Sequence, residues 1–182
     1  MSASLQKFTT EFLPEEDRLR LSGVLEDGQP VVLWLTQRLL RRLVPHLCGW
    51  LEKQPVPGAS AMQPQVVAQE RVQIQHIAQQ AAQGALQAQK QAPVQAPPDA
   101  FNGLVQIVKL ENIEGRLHLV LRVEQEPAVE YRVGFAPMGL RQWLGIVHRH
   151  FESAQWPLEI WPQWMAPRGA VGHEISVAAV LH

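Results

Sequence analysis

Arg18-Leu19-Arg20-Leu21, followed by Glu26, Val31, Leu40-Arg41 and Leu51-Glu52, decides the fold, because the chain carries this run twice. About 98 to 100 positions later it reads Arg116-Leu117-His118-Leu119, then Glu124, Val129, Leu140-Arg141 and Phe151-Glu152. An echo at a nearly constant offset constrains the whole architecture more than local propensity does. The matched positions are strand and helix core, so the echo speaks to construction and hardly to chemistry.

Around the first copy, a strand is expected near Leu5 to Leu13, followed by a turn at Pro14-Glu15-Glu16-Asp17. In the next strand Leu19, Leu21 and Leu25 point one way and Arg18, Arg20 and Ser22 the other. That period of two marks a half-buried antiparallel strand. Asp27-Gly28 is a tight-turn signal leading into Pro30-Val-Val-Leu-Trp-Leu35. The period then changes. Thr36 is suited to cap a helix, its hydroxyl accepting from an orphan N–H. Leu39, Leu40, Leu43, Val44, Leu47, Trp50 and Leu51 form an apolar stripe at helical spacing. Pro45 removes one hydrogen bond and predicts a kink, and Gln54 to Gly58 ends the helix.

The second copy repeats the order. Gly103 to Leu110 reads as a strand, and Gly115 supplies a turn. Leu117, Leu119, Leu121 and Val123 alternate with polar residues, and Val129, Tyr131, Val133 and Phe135 make a third strand. Pro137 suits a helix start, with Leu140, Trp143, Leu144, Val147, Phe151 and Ala154 as its stripe. Trp156 to Met165 reads as an irregular apolar cover, and Ile175 to Leu181 as a last buried strand.

The expected class is therefore α+β: two related βββα modules with antiparallel sheets, joined by a Gln/Ala-rich helix or linker. The bounds are 1–54 for the first module, 55–102 for the connection and 103–182 for the second module. Within the connection, Pro64 to Gln91 contains strong helix formers and no further proline until Pro93. Val67, Ile74, Ile77, Ala81, Ala85 and Ala88 lie roughly on one face, which makes them the side expected to pack, against the modules or a second copy. Alone in water such a helix is marginal, and a disordered Gln-rich linker is the competing reading.

The block Glu16-Asp17-Arg18-Leu19-Arg20-Leu21, with Leu33-Trp34-Leu35-Thr36-Gln37-Arg38-Leu39-Leu40 and the later Ala154-Gln155-Trp156, resembles a group of uncharacterised bacterial proteins. The likeness covers both modules but not the Gln-rich middle, and it carries over no catalytic residues. The pattern of three strands, a helix and a long helix is also similar to the head domains of centriole-assembly and DNA end-joining scaffolds. The duplication departs from that pattern.

The 182 residues carry a formal net charge of -1 and a pI of about 6.7, so no global attraction to nucleic acid or an anionic membrane follows. The chain is 46% hydrophobic, enough for a core. The single cysteine, Cys48, allows no intrachain disulfide. The N-terminal residues lack the apolar run of a signal peptide, and no apolar stretch spans a bilayer. A cytoplasmic protein without membrane contact is expected.

Signals for catalysis are absent from the sequence pattern. His148 and His150 lie two apart, which on a helix places them on different sides. Cys48 falls in the apolar stripe, where a thiol acts as a small hydrophobe. No Gly-x-Ser-x-Gly elbow or glycine-rich phosphate loop occurs. No catalytic, cofactor or metal residues are expected.

Two surfaces remain. Trp156, Trp161 and Trp164, with Val67, Ile74 and Ile77, are candidates for partner binding, since tryptophan dominates interface hot spots. Arg38, Arg41 and Arg42, at spacings of three and four on the first helix, are candidates for an anion or nucleic acid. The preferred expectation is a non-enzymatic scaffold that associates with itself and an unidentified protein. Nucleic-acid or anionic-ligand binding through the arginine face is the alternative.

Overall fold

Leu19, Leu21 and Leu25 face a core and leave Arg18 and Arg20 half exposed, as their alternation requires. They sit on β2 (Arg18–Leu25), between β1 (Ser2–Leu13) and β3 (Pro30–Thr36), in a computed structural model that describes residues 2–56, 68–89 and 91–166. The second half supplies β4 (Phe101–Ile113), β5 (Arg116–Val123) and β6 (Val129–Phe135). Helix α1 (Gln37–Glu52) follows β3, α2 (Ala68–Ala88) lies between the halves, and α3 (Pro137–Ser153) follows β6. The class is α+β.

Within each half the strands form an antiparallel meander. The sheet as a whole is mixed, which corrects the expectation of antiparallel sheets. β3 runs parallel to β4 over Val31–Trp34 and Phe101–Leu104, and β1 parallel to β6 over Ser2–Ser4 and Glu130–Arg132. These two short parallel seams close the order β1-β2-β3-β4-β5-β6 into a barrel. A lone three-stranded meander leaves unpaired N–H and C=O groups along both edges, and closure pairs part of them. A parallel pair needs a long crossover, and α1 with α2 provides it between β3 and β4. Alternation shows which side chains face inward. It does not show which edges meet.

Leu33, Leu35, Leu117, Leu119, Leu121 and Val133 join the β2 leucines in one buried cluster spanning both halves. Each such side chain contributes roughly 1.5–3 kcal/mol on burial. The helices add Leu40, Leu43, Val44, Leu47 and Leu51 from α1, and Leu140, Trp143, Leu144, Val147 and Phe151 from α3. The Thr36 hydroxyl accepts from the Leu39 amide at 3.1 Å, so the expected cap forms. α3 starts at Pro137 after Ala136, whose side chain offers no acceptor. Pro45 lies within α1 on its exposed side.

α2 falls inside the helix expected over 64–91. Val67 and the strand expected over Ile175–Leu181 lie outside the described residues. Among the described residues no helix is long and apolar enough to cross a membrane.

Candidate functional site

The face by which α2 packs differs from the one its isoleucines indicate, although Ala82 is buried in it and Val72 packs against the core. Gln75 and Gln79 are buried, Gln79 to 6% exposure, while Ile77 is 52% exposed and Ile74 half-buried. The glutamines pack because α3 presents polar backbone and Arg141 to them. The Gln79 amide donates to the Arg141 carbonyl oxygen at 2.8 Å, and Gln83 donates to the same oxygen at 3.1 Å. Arg141, itself 5% exposed, donates to the side-chain oxygen of Gln75 and, at 3.5 Å, to the Gln75 carbonyl. Gln142 reaches the Ala82 carbonyl at 3.3 Å. Gly145 lets the helices approach here, since a Cβ at that position would overlap the Gln83 amide.

Arg141 also lies 5.3 Å over the ring of Trp164. Burial lowers the pKa of its guanidinium, while Cys48 and Glu52 nearby act the other way. Trp164 donates from its indole to Glu52 at 2.8 Å, and its carbonyl oxygen lies 3.1 Å from His76 Nδ1. Three segments distant in sequence therefore meet at Arg141. The signal for this junction was a glutamine at every fourth position, 75, 79 and 83, which marks a continuous polar face on a helix.

The tryptophans expected as a partner surface are instead largely inside. Trp156 and Trp164 are buried, and Trp161 is half-buried between Phe151 and His148. Trp156 packs edge-on against Phe12 and Phe151, and its indole donates to Asp17 at 2.8 Å. The segment buries because the closed barrel leaves apolar ends of β1 and α3 for it to cover. Of the six partner candidates, only Ile77 is prominently exposed among the described residues.

The cysteine and the histidines of α3 are built into the packing. Burial pushes the Cys48 thiol up to about 12, with Glu52 adding to the rise. His148 has a pKa lowered by burial, against the opposing pull of Glu152, and packs edge-on to Trp161 at 5.0 Å. His150 Nε2 lies 3.0 Å from the Thr10 carbonyl oxygen. Among the described residues no group of three or more His, Cys, Asp or Glu is placed to hold a metal ion.

Arg38, Arg41 and Arg42 are exposed on α1. Arg41 is turned toward Glu159, 2.7 Å away, which leaves Arg38 and Arg42 as the outward pair on that face. An apolar groove of about 370 Å3 lies between α2 and the start of α3, lined by Val56, Ile77, Ala78, Ala81, Pro137 and Met138.

The other exposed apolar surface belongs to β4. Ile107, Leu110 and Ile113 are 42%, 39% and 43% exposed. Beyond Leu104 the side of β4 that adjoins β3 has no strand partner among the described residues. The corresponding side of β1 beyond Ser4 also has no strand partner among the described residues, yet α3 and the segment at Val94 bond to it. There Trp143 donates to the Thr10 hydroxyl at 3.0 Å, His150 meets the Thr10 carbonyl, and the Val94 amide donates to Thr9 at 2.7 Å. Comparison with known proteins finds no matching family model, curated protein or solved structure.

Proposed function

We propose that this chain is a non-enzymatic interaction and assembly protein that associates with itself. The observation carrying this reading is the side of β4 that beyond Leu104 has no strand partner among the described residues, where three exposed apolar side chains also lie. An exposed strand edge is a template for another chain, and apolar residues beside it add burial on contact. The use of polar side chains supports the reading as well. Arg141, Gln75, Gln79, Glu52 and His150 hold elements together, an arrangement suited to a stable scaffold.

The two halves are, in this reading, copies of one βββα unit. Each has the same element order, and each first strand has its register irregularity at the matching place, Leu5/Lys7 in β1 and Val105/Ile107 in β4. Copying would produce two equivalent edges, and sequence divergence then buried Thr10 on one and left Leu110 exposed on the other.

Light scattering across micromolar concentrations tests the function. A mass above that of one 20.5 kDa chain, rising with concentration, is expected. A constant single-chain mass overturns it.

A further inference from the structure

We propose that two copies of this chain pair antiparallel along the open side of β4, with Leu110 of each strand opposite Leu110 of the other. The inference rests on the self-association reading and specifies its surface and register.

β4 pairs with β5 from Val105 to Ile113, so over this length one side is satisfied, while the other has no strand partner among the described residues and meets α1 over part of its length. β1 and β4 differ at their matched centres. Thr10, which accepts the Trp143 indole, is buried, whereas Leu110 at the corresponding place on β4 is exposed. α1 has Leu43 where α3 has Trp143, and Leu43 has no N–H to offer the edge.

The occupant follows from the charges on β4. A twofold axis through Leu110 sets Lys109 against Glu111 of the other copy, and Ile107 against Ile113, twice each. Both kinds of pair favour antiparallel strands. Sliding by two residues, the smallest slip that keeps each side chain on its face, sets Glu111 against Glu111 or Lys109 against Lys109. Like charges directly opposed disfavour both slips. Lys109 and Glu111 already lie 3.4 Å from Glu130 and 3.1 Å from Arg132 on the same barrel surface. The dimer would join these two pairs into a network of alternating sign. The strand is thus complementary to itself in one register, the condition an isologous interface imposes.

The test uses the full chain. Leu110→Cys, under mild oxidation, is expected to give a disulfide-linked dimer, because directly opposed Cβ atoms lie about 4.5–5.5 Å apart. The parent chain supplies the background, since Cys48 is buried. Mixing Ile107→Cys with Ile113→Cys is expected to cross-link the two variants to each other. Lys109→Glu is expected to raise the dissociation constant about tenfold, and Lys109→Glu combined with Glu111→Lys to recover it. Light scattering that gives a dimer mass without these cross-links or recovery overturns the β4 register and leaves self-association standing. A single-chain mass throughout overturns both.

Discussion

The side-chain amide of Gln79 donates to the backbone carbonyl oxygen of Arg141 at 2.8 Å, joining two helices whose contact is made by glutamines. The apolar residue two positions earlier, Ile77, faces outward. The packing of α2 therefore does not follow its isoleucines.

Substitution should reveal this directly. Ile77→Lys is expected to change stability by less than about 0.5 kcal/mol, as at an ordinary surface position. Gln79→Leu should cost about 1 kcal/mol, because Gln83 still donates to the same oxygen. Gln79→Leu with Gln83→Leu should cost about 2 kcal/mol, since both side-chain bonds to this carbonyl are then lost and only its bond within α3 remains. Urea denaturation measures all three, and a costlier Ile77→Lys than double leucine variant would refute the packing direction.

Gly145 is required by closeness, since a methyl there would meet the Gln83 amide. The amide is the end of a flexible side chain and can swing aside, giving up its bond to the Arg141 carbonyl. Gly145→Ala should therefore cost about 1 kcal/mol, and Gly145→Val clearly more, because it also pushes on α2 itself. Equal thermal stability for the two variants would contradict this.

The helix starts differ in one hydroxyl. Thr36→Ala should destabilise by about 1 kcal/mol, through loss of the bond to the Leu39 amide. Ala136 has the same extended backbone at the start of α3 but provides no acceptor. Ala136→Ser should stabilise by about 0.5–1 kcal/mol. Thermal unfolding of the pair, with opposite signs of the shift, is the measurement.

Cys48 sets a pH dependence. Its folded pKa is raised from 9.0 to about 12, chiefly by burial. Below pH 9 the thiol is protonated in both states and its contribution is fully present. As pH rises the unfolded thiol ionises first, so the unfolded state binds fewer protons and stability falls until the folded pKa is reached. Burial raises the pKa of Tyr131 as well, so the comparison must be with Cys48→Ala. The parent chain should lose stability relative to Cys48→Ala between pH 9 and 10.5, and parallel curves would count against it.

Strand and helix positions were legible because burial imposes a period on them. Leu19, Leu21 and Leu25 alternate, Leu40, Val44 and Leu47 recur at helical spacing, and Thr36 announces its helix. The candidate sites were harder to read. Trp156 and Trp164 are apolar whether they cover a core or wait for a partner, and composition does not distinguish the two. On α2 the isoleucines stand out against water, while the surface the helix meets is the polar one around Arg141.

By itself, then, the sequence determined the secondary structure, the inward faces of the strands and the repeated order of elements, all of which follow from short-range periodicity and from turn and cap chemistry. Only the tertiary structure decided that the two meanders close through parallel seams, that glutamines bond α2 to α3, and that Thr10 of β1 is buried where Leu110 of β4 is exposed. Those outcomes depend on which surfaces meet across a hundred or so residues, and an unpaired backbone edge or a buried guanidinium can be satisfied in more ways than a local pattern records.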